Sequence, residues 1–537
     1  MTTLLDAAIH ASLAVWLALP VALLLLAGWC GRATTPARQR RGWRLGQALM
    51  AGSFLASAAI GALLVVDAAG LDTGLPEAAA PLGLYPDGLA VWMALLISFL
   101  GVVLLRFADG YLEGDRGRDR FLPWCLVVLA SVLLLVFTHH LLVMLVAWVG
   151  VSMALHHLLT LYPERREARR AAWQKFAVSR LGDLALLAAV GLLFHHYGSF
   201  ELPVLLAATE ASTGEGWALP AASVALALAA LCKCAQLPLH GWLMKVMEAP
   251  TPVSALLHAG VINLGGYVWL RLYPLFDGLT PGHLLLVAIG GTTAIVAVLT
   301  MLTQASVKHA LAWSTCAQMG FMLLEIGLGA YTLALVHLLA HSLYKAHSFL
   351  ASGRTVRAAR CARMALAPLS ERLATAGLAA GAAAALLLAW PALVSHNPLL
   401  GALLTLAVGG ALLGLPASLD RPRRWLLATL ALALVPLYAL LHALVAPALP
   451  RAADPLTLAA GLLGAALLVA LVGLALAVTL RPGHPAVARW RIHFRQGLYA
   501  HLPLERATDR LMRHRLPEPA RLTRQVRTAT IARGEGS

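Results

Sequence analysis

Charge, and lysine in particular, is scarce in this sequence of 537 residues. Charged residues make up 12% of the chain, hydrophobic residues make up 60%, and the mean hydropathy is +0.77. This composition excludes a soluble globular domain and indicates a chain that lives in a lipid bilayer. The formal net charge is +16, but the arginines lie in short loops between apolar runs and in residues 481–537. That distribution is a signal of membrane topology and does not predict nucleic-acid binding.

Recognisable cofactor motifs are also missing. The six cysteines form no CxxC pair and lie in or beside apolar stretches, so they are interpreted as small buried residues. The sequence contains no Walker loop, no dinucleotide fingerprint and no iron–sulfur or haem ligand pattern. We therefore expect no cofactor in this chain, and the energy for any transport has to come from an ion gradient or from a partner.

Long apolar runs dominate what is present. A membrane-spanning helix needs about 20 predominantly apolar residues, and on that basis the sequence predicts an all-α polytopic membrane protein with 14 to 15 transmembrane helices. The first run is predicted to be a retained span and not a cleaved signal peptide. The fifteen candidate spans are centred near residues 18, 57, 97, 130, 150, 187, 227, 261, 293, 318, 340, 382, 408, 435 and 468.

The loops between these runs alternate in charge. Arginine-rich loops at 32–44 and 163–175 alternate with acidic segments at 67–87 and 198–216. The positive-inside rule then predicts a multi-pass membrane protein with its N-terminus outside and its C-terminus in the cytoplasm. The tail from 481 is too polar to span, and its aromatic and basic residues at 490–495 are typical of an interfacial segment.

One apolar run is interrupted next to a lysine. Lys233 lies deep in its run, Pro238 follows five residues later, and Pro250 and Pro252 open the next run. Proline breaks a helix, and at membrane depth such a break is tolerated where the freed backbone is buried in protein or lines a cavity. A lysine removed from water exchanges its proton far more readily than one at the surface. Lys233 is therefore predicted to lie on an ion pathway; the structural alternative is that it caps the broken helix or pairs with Asp183.

Histidines and a second lysine follow. His258 lies in the middle of the next run, and His337, His341 and Lys345 are spaced i, i+4, i+8. At that spacing their side chains stack along one helix face with about 6 Å per step, a distance that suits water-bridged proton transfer. Two histidines at i, i+4 are also half of a zinc site, but no H-E-x-x-H motif is present and a lysine cation opposes a metal. No metal site is predicted.

Three further charges are candidates with two interpretations each. Asp183 opens a long apolar run and is either the partner of Arg180 or the group that tunes Lys233. Glu248 is either a surface charge or a gate beside Pro250, and Lys308 is either a pathway residue or a cytoplasmic anchor.

Residues 87–353 resemble the antiporter-like, proton-translocating membrane subunits of complex I and of Mrp-type cation/proton antiporters. The segments that carry the resemblance are SRLGD (179–183), KCAQLPLHGWL (233–243), APTPVSALLHA (249–259), LAWSTCAQMG (311–320) and HSLYK (341–345). The resemblance implies two inverted five-helix repeats, each with one broken helix, and a polar axis through Lys233, His258 and Lys345.

That resemblance sets the predicted domain boundaries. They are N-terminal transmembrane helices at 1–120, a first repeat at 121–270 with its broken helix near Pro238, a second repeat at 271–420, C-terminal transmembrane helices at 421–480 and a basic cytoplasmic tail at 481–537.

The sequence also departs from the family pattern. Where the family has Trp-Glu-Gly, this chain has Trp148-Val149-Gly150, so the glutamate that pairs with the broken-helix lysine is missing. Lys233 must then use another partner, with Asp183 as the candidate. No lysine follows Lys345 for the second broken helix, and the tail has no apolar run that could serve as the lateral helix and final span of the long complex I subunit.

These departures, together with the basic tail, make the chain similar to DabB-type membrane subunits of bacterial inorganic-carbon pumps. That similarity implies a DabA-like soluble zinc protein on the cytoplasmic face, related to β-type carbonic anhydrases, whose hydration of CO2 would be driven by a cation flux through this chain. The expected role is an ion-translocating subunit and not an enzyme. The alternatives are a proton-pumping subunit of complex I, a hydrogenase or an antiporter assembly, and a membrane anchor that transports nothing.

Overall fold

The computed structural model describes residues 2–32, 35–68, 83–211, 216–276, 278–353, 367–391, 394, 397–413, 419–451, 453–481 and 483–511. Within these ranges the regular structure is helical, and extended pairing is limited to two isolated bridges, Leu84 with Thr138 and His140 with Glu201. The predicted all-α polytopic fold is confirmed.

The N-terminal half of the described chain consists of long apolar helices, several of them separated by short loops. They are α1 (Thr2–Gly31), α2 (Pro36–Ala68), α3 (Gly88–Tyr111), α4 (Arg118–Phe137), α5 (Leu141–Leu159), α6 (Arg166–Tyr197) and the short α7 (Leu202–Ala211). Local signals explain several ends. Asp87 caps α3 by accepting a hydrogen bond from the amide of Ala90, and Gly198, with φ +74°, ends α6 in the left-handed conformation that glycine adopts without strain.

The middle of the chain contains the interrupted helices. They are α8 (Ala218–Lys233), α9 (Gly241–Lys245), α10 (Thr251–Ala259), α11 (Leu264–Leu272), α12 (Pro281–Met301), α13 (Val307–Gly327) and α14 (Tyr331–Leu350). The predicted break at Pro238 is present between α8 and α9. A second break, at Gly260 between α10 and α11, was not predicted.

The C-terminal helices are α15 (Leu369–Ala389), α16 (Pro398–Leu412), α17 (Arg421–Leu432), α18 (Leu434–Val445) and α19 (Leu458–Leu480), followed by α20 (Pro485–Arg495) and α21 (Leu502–Leu511). Eleven described helical segments are long and apolar enough to cross a membrane. The other four predicted spans coincide with α8 and α16, which are shorter, and with α13 and α14, whose polar residues belong to the site below.

Three separate apolar cores form among the described residues. The largest runs through α1 to α14, a second joins α15, α16, α17 and the start of α18, and a small third one joins α12, α13 and α19. The C-terminal helices expose many leucines on their outer faces, with Leu388 81% and Leu458 79% exposed, as expected where lipid replaces protein as the neighbour. The domain boundaries drawn from the sequence stay predictions.

The tail packs against the start of α6 and against α9. Asp509 on α21 forms an ion pair with Arg170 near the start of α6, and Glu505 forms an ion pair with Lys245 on α9. His501 lies against Gly241, and its ring centroid is 6.2 Å from that of His240. The tail therefore shares a face of the protein with the start of α6 and the 163–165 loop, and the cytoplasmic position of that face stays a prediction.

Docking of the tail is expected to weaken as the pH falls from 7.5 to 5.5. Burial lowers the pKa of His501 below its usual value, and the nearby Lys245 adds to this effect while Glu505 opposes it. An undocked His501 binds its proton at higher pH than the docked one, so docking is strongest above the ordinary histidine pKa and is lost as the pH falls below it. Protonation would also bring a cation towards His240, which is packed beside it.

Hydrogen exchange of residues 485–511 measures this effect in the detergent-solubilised protein. We expect less protection at pH 5.5 than at pH 7.5, and a smaller difference in His501→Gln. Equal protection at both pH values in the wild-type chain would show that His501 does not control the docking.

Candidate ion-conducting site

The interruption between α8 and α9 places a lysine at a helix end inside the protein. α8 ends at Lys233. Two residues later, Ala235 has φ +50°, a left-handed conformation that costs a non-glycine residue about 1 kcal/mol or more. Neighbouring helices satisfy the freed backbone: Thr293 Oγ1 on α12 accepts from the amide of Leu237, and Cys316 Sγ on α13 donates to the carbonyl of Ala235. The break is held on both sides by packed helices.

Lys233 is surrounded by neutral partners. It is 8% exposed, and its Nζ donates to Ser152 Oγ at 3.0 Å and to the carbonyl of Trp148 at 3.4 Å. The ammonium also lies 4.0 Å from the centroid of the Trp148 ring, a cation–π contact. Both partners are on α5, the helix that carries Val149 in place of the family's glutamate.

Asp183 forms no ion pair with Lys233; the two residues are linked by Trp148, which contacts both. The indole Nε1 of Trp148 donates to Asp183 Oδ1 at 2.9 Å, while the carboxylate forms an ion pair with Arg180 at 2.6 Å. The structure shows the ion pair with Arg180 that one interpretation expected, and the other interpretation, that Asp183 tunes Lys233, stays a prediction. Gly182 allows this arrangement, because a Cβ there would lie 3.0 Å from the Cβ of Cys232 and would separate α6 from α8.

A second buried lysine was missed. The loop predicted at 163–175 includes Lys175, and its predicted end was wrong: α6 begins nine residues before Lys175, which is 3% exposed within it. Its Nζ donates to the carbonyl of Ser152 at 2.8 Å, so Lys175 and Lys233 bind the carbonyl and the hydroxyl of one serine. The spacing could have indicated that Lys175 is buried, because Lys175 precedes Asp183 by eight residues, about two helical turns.

The row on α14 is present as predicted. The side chains of His341 and Lys345 are buried and that of His337 is mostly buried, and the ring centroids of His337 and His341 are 6.2 Å apart. Lys345, which is fully buried, donates to Ser314 Oγ at 2.8 Å and to the carbonyl of Leu311 at 3.2 Å, both on α13. Lys345 therefore has the same kind of partners as Lys233, a serine hydroxyl and a backbone carbonyl.

Glu325 on α13 is a further residue that the sequence analysis missed. Its carboxylate lies 2.9 Å from Nδ1 of His337, and Gln318 Oε1 lies 2.7 Å from Nε2 of the same ring. Glu325 is 6% exposed, and a single acid inside an apolar helix was the available signal. His337 is thereby held between an acid and an amide.

His258 joins the two halves of the site. Its Nδ1 lies 3.0 Å from Thr315 Oγ1 on α13, and its ring stacks on Phe349 of α14 at 4.4 Å. Nε2 of His258 and Nε2 of His341 are buried without a hydrogen-bond partner among the described residues. Buried atoms of this kind are those that bind ordered water in proteins. The helix breaks at Gly260, two residues after His258, and Asn263 follows the break. Nδ2 of Asn263 donates to Oγ of Ser342, the residue after His341, at 2.7 Å.

The remaining predicted residues lie at the margin. Pro250 is the residue before α10 and Pro252 is in its first turn, as a helix start favours. Glu248 is exposed at the end of the short helix after α9, and the structure does not bring it to a buried lysine. Lys308 is partly buried near the start of α13 and lines a cavity of about 510 Å³ with Thr251 and Ser352.

The buried lysines and the serines that bind them form two groups inside the protein. Lys175, Ser152 and Lys233 form one group, and Lys345 and Ser314 form a second group that continues into the histidine row. None of the ion pairs between described residues includes Lys175, Lys233 or Lys345. In the part of the chain that the structure describes, no three His, Cys, Asp or Glu side chains gather as a metal site would require.

Known proteins share this sequence pattern. Residues 138–441 match the family described as NADH:quinone oxidoreductase/Mrp antiporter, TM, and residues 75–122 match the N-terminus of chain 5 of NADH-ubiquinone oxidoreductase (complex I). A probable inorganic carbon transporter subunit DabB of Hydrogenovibrio crunogenus is 43% identical over 290 residues, which are 53% of this chain and 56% of that protein. The NADH-quinone oxidoreductase subunit L of Pseudomonas aeruginosa is 38% identical over 277 residues, which are 51% of this chain and 45% of that protein.

Solved structures share the fold. A chain of the Mrp complex from Dietzia sp. DQ12-45-1b superposes with a TM-score of 0.58 at 24% identity, covering 98% of this chain and 62% of that one. A chain of the membrane-bound sulfane sulfur reductase, an archaeal respiratory membrane complex, gives a TM-score of 0.53 at 18% identity and covers 92% of this chain and 99% of that one. This chain spans about half the length of the curated relatives that it matches. With the family pattern matched over more than half of its residues and the buried lysines in place, the chain belongs to the NADH:quinone oxidoreductase/Mrp antiporter family of membrane subunits.

Proposed function

We propose that this chain conducts a cation through the membrane, with the proton as the first candidate and sodium as the alternative. The observation that carries the proposal is the setting of Lys233 and Lys345, each buried and each held by a serine hydroxyl and a carbonyl with no carboxylate in an ion pair. A permanently charged ammonium without a counter-ion is costly away from water. Groups in such a setting suit a cycle in which a proton arrives and leaves.

We further propose that the chain is the membrane subunit of an energy-coupled inorganic-carbon pump. Support comes from the DabB relative at 43% identity and from Val149, which removes the family's glutamate. In this proposal the cation moves down its gradient and drives the hydration of CO2 to bicarbonate by a DabA-like soluble zinc protein. That partner would bind at the cytoplasmic face of a bacterial inner membrane, with the N-terminus of this chain outside and its C-terminus inside.

A second candidate function is a proton-pumping subunit of a complex I, hydrogenase or antiporter assembly, and the NADH-quinone oxidoreductase relative at 38% identity favours it. A non-transporting anchor is a third. The buried lysines argue against the anchor, because a structural helix gains nothing from uncompensated charge.

The test is gentle purification of the tagged chain from its native membrane, with identification and zinc analysis of the proteins that accompany it. We expect a near-stoichiometric soluble zinc protein, and we expect CO2 hydration by the reconstituted complex to depend on an imposed cation gradient. Recovery with quinone-reductase, hydrogenase or antiporter subunits would overturn the carbon-pump assignment and leave cation conduction in place. A complex whose CO2 hydration ignores the gradient would favour the anchor.

A further inference from the structure

The segment around α20 carries positive charge that no acid compensates. Arg481 follows α19, and Arg489, Arg491 and Arg495 lie on α20, while residues 455–504 contain no aspartate or glutamate. None of the ion pairs between described residues includes any of these four arginines. The segment therefore has a net positive field, which attracts an anion.

A groove of about 320 Å³ opens beside α20, where the ends of α12 and α19 meet the start of α15. Its basic residues are Arg372 on α15 and Arg491 on α20, and its other lining residues include Leu299, Val478 and Phe494. Nε of Arg372 donates to the carbonyl of Leu413 at 2.7 Å, which holds its guanidinium in place. Two cations from separate helices thus border one largely apolar groove.

The groove lies where the apolar helices end. Its lining residues Leu299 and Val478 are within the last three residues of α12 and α19, respectively. On α20, Trp490 is 56% exposed and Ile492 is 64% exposed, on a helix that also carries arginines. Tryptophan and arginine together at the end of a membrane helix are typical of the boundary between lipid tails and headgroups.

We propose that this groove binds an anionic phospholipid. Arg372 and Arg491 bind the headgroup phosphate, and the acyl chains run along the apolar ends of α12 and α19. Charge complementarity selects the lipid, because a basic pocket between membrane helices on the cytoplasmic side is suited to an anionic headgroup. The proposal is independent of which ion the chain conducts.

The test is native mass spectrometry of the whole purified chain in detergent, titrated with phosphatidylglycerol, phosphatidylcholine or inorganic phosphate. We expect one retained phosphatidylglycerol and little retained phosphatidylcholine. Each arginine near a membrane surface contributes about fivefold in affinity for anionic lipid, so Arg372→Ala/Arg491→Ala is expected to bind about 25-fold more weakly.

The control is Arg489→Ala/Arg495→Ala, which removes two arginines that line no part of the groove and are in none of the ion pairs between described residues. Wild-type-like binding by the control together with the loss in the groove variant would support the site. An equal loss in both variants would overturn it in favour of diffuse attraction. Displacement of the lipid by millimolar inorganic phosphate would overturn the assignment to a lipid in favour of a free-anion site, and a melting temperature matched to wild type would show that each variant is folded.

Discussion

Lys233→Ala is expected to lower cation flux about 100-fold or more, within the range found for loss of a positioned proton-transfer group. The ammonium is held by Ser152, the Trp148 carbonyl and the Trp148 ring, all on α5. Removing it leaves an apolar methyl at the end of α8, and no other basic side chain of the described residues binds the hydroxyl of Ser152. The change is expected to spare folding, since the variant buries less charge than the wild type.

The variant Lys233→Arg tests whether cation flux needs only a positive charge at this position or a side chain that can release its proton. Arginine keeps the positive charge but does not release its proton in a protein, so a conducting lysine is not replaced by it. We therefore expect Lys233→Arg to lose flux nearly as fully as Lys233→Ala. Lys245→Arg is the matched control, because Lys245 is twelve residues further along the broken helix and forms an ion pair with Glu505 that arginine can also make.

Flux is measured in proteoliposomes with a pH-sensitive dye inside and an imposed proton or sodium gradient. Normal flux in Lys233→Ala, with equal amounts of protein in the vesicles, would refute conduction through Lys233. Normal flux in Lys233→Arg alone would show that the site needs a cation but not an exchangeable proton, which would favour sodium.

The positions of the helices could be predicted from the sequence because membrane spans need length and apolar character, and each of the fifteen predicted centres lies in a described helical segment. The break at Pro238 was also predictable, since proline removes a backbone donor. The break at Gly260 was not, because a lone glycine in an apolar run is compatible with a continuous helix.

The site was predicted in part for a similar reason. Lys233, His258, His341 and Lys345 stood out because each interrupts an apolar run. Lys175 did not, because it follows an arginine-rich loop and its burial depends on how far α6 extends beyond the length that a span requires. Contacts between helices, such as the one serine shared by two lysines, depend on tertiary packing and cannot be deduced from spacing along one helix.

The contacts of the tail could not be predicted from the sequence either. Its polar, proline-containing sequence predicted no further span, and its described residues form the two short helices α20 and α21. Its aromatic and basic residues indicated an interfacial segment. The ion pairs of Asp509 with Arg170 and of Glu505 with Lys245 join residues more than 250 positions apart. Surface ion pairs of this kind contribute about 0 to 1 kcal/mol each, so the docking depends on several contacts together, including the packing of His501 on Gly241.

Lys175→Arg is expected to lower cation flux about 100-fold, the lower end of the range for a proton-transfer group. Lys175 and Lys233 bind the carbonyl and the hydroxyl of Ser152, so their ammonium groups are neighbours with no acid in an ion pair with either. At an effective dielectric constant of about 20, two unit charges repel each other by about 4 kcal/mol at about 4 Å, and by about half of that at twice the distance. We therefore expect the pair to favour a state in which only one of the two lysines is charged.

We expect a pair of lysines that shares one charge to take part in proton transfer, because a proton that reached Lys175 would displace the one on Lys233. Arginine at 175 keeps a donor for the Ser152 carbonyl but holds its charge permanently, so it blocks this exchange and opposes the charging of Lys233. Lys175→Met removes the charge and the donor together and is the companion variant. If Lys175→Arg conducts normally and Lys175→Met does not, Lys175 serves only to hold α5 against α6; if both variants lose flux while their melting temperatures match wild type, the lysine pair is part of the conducting path.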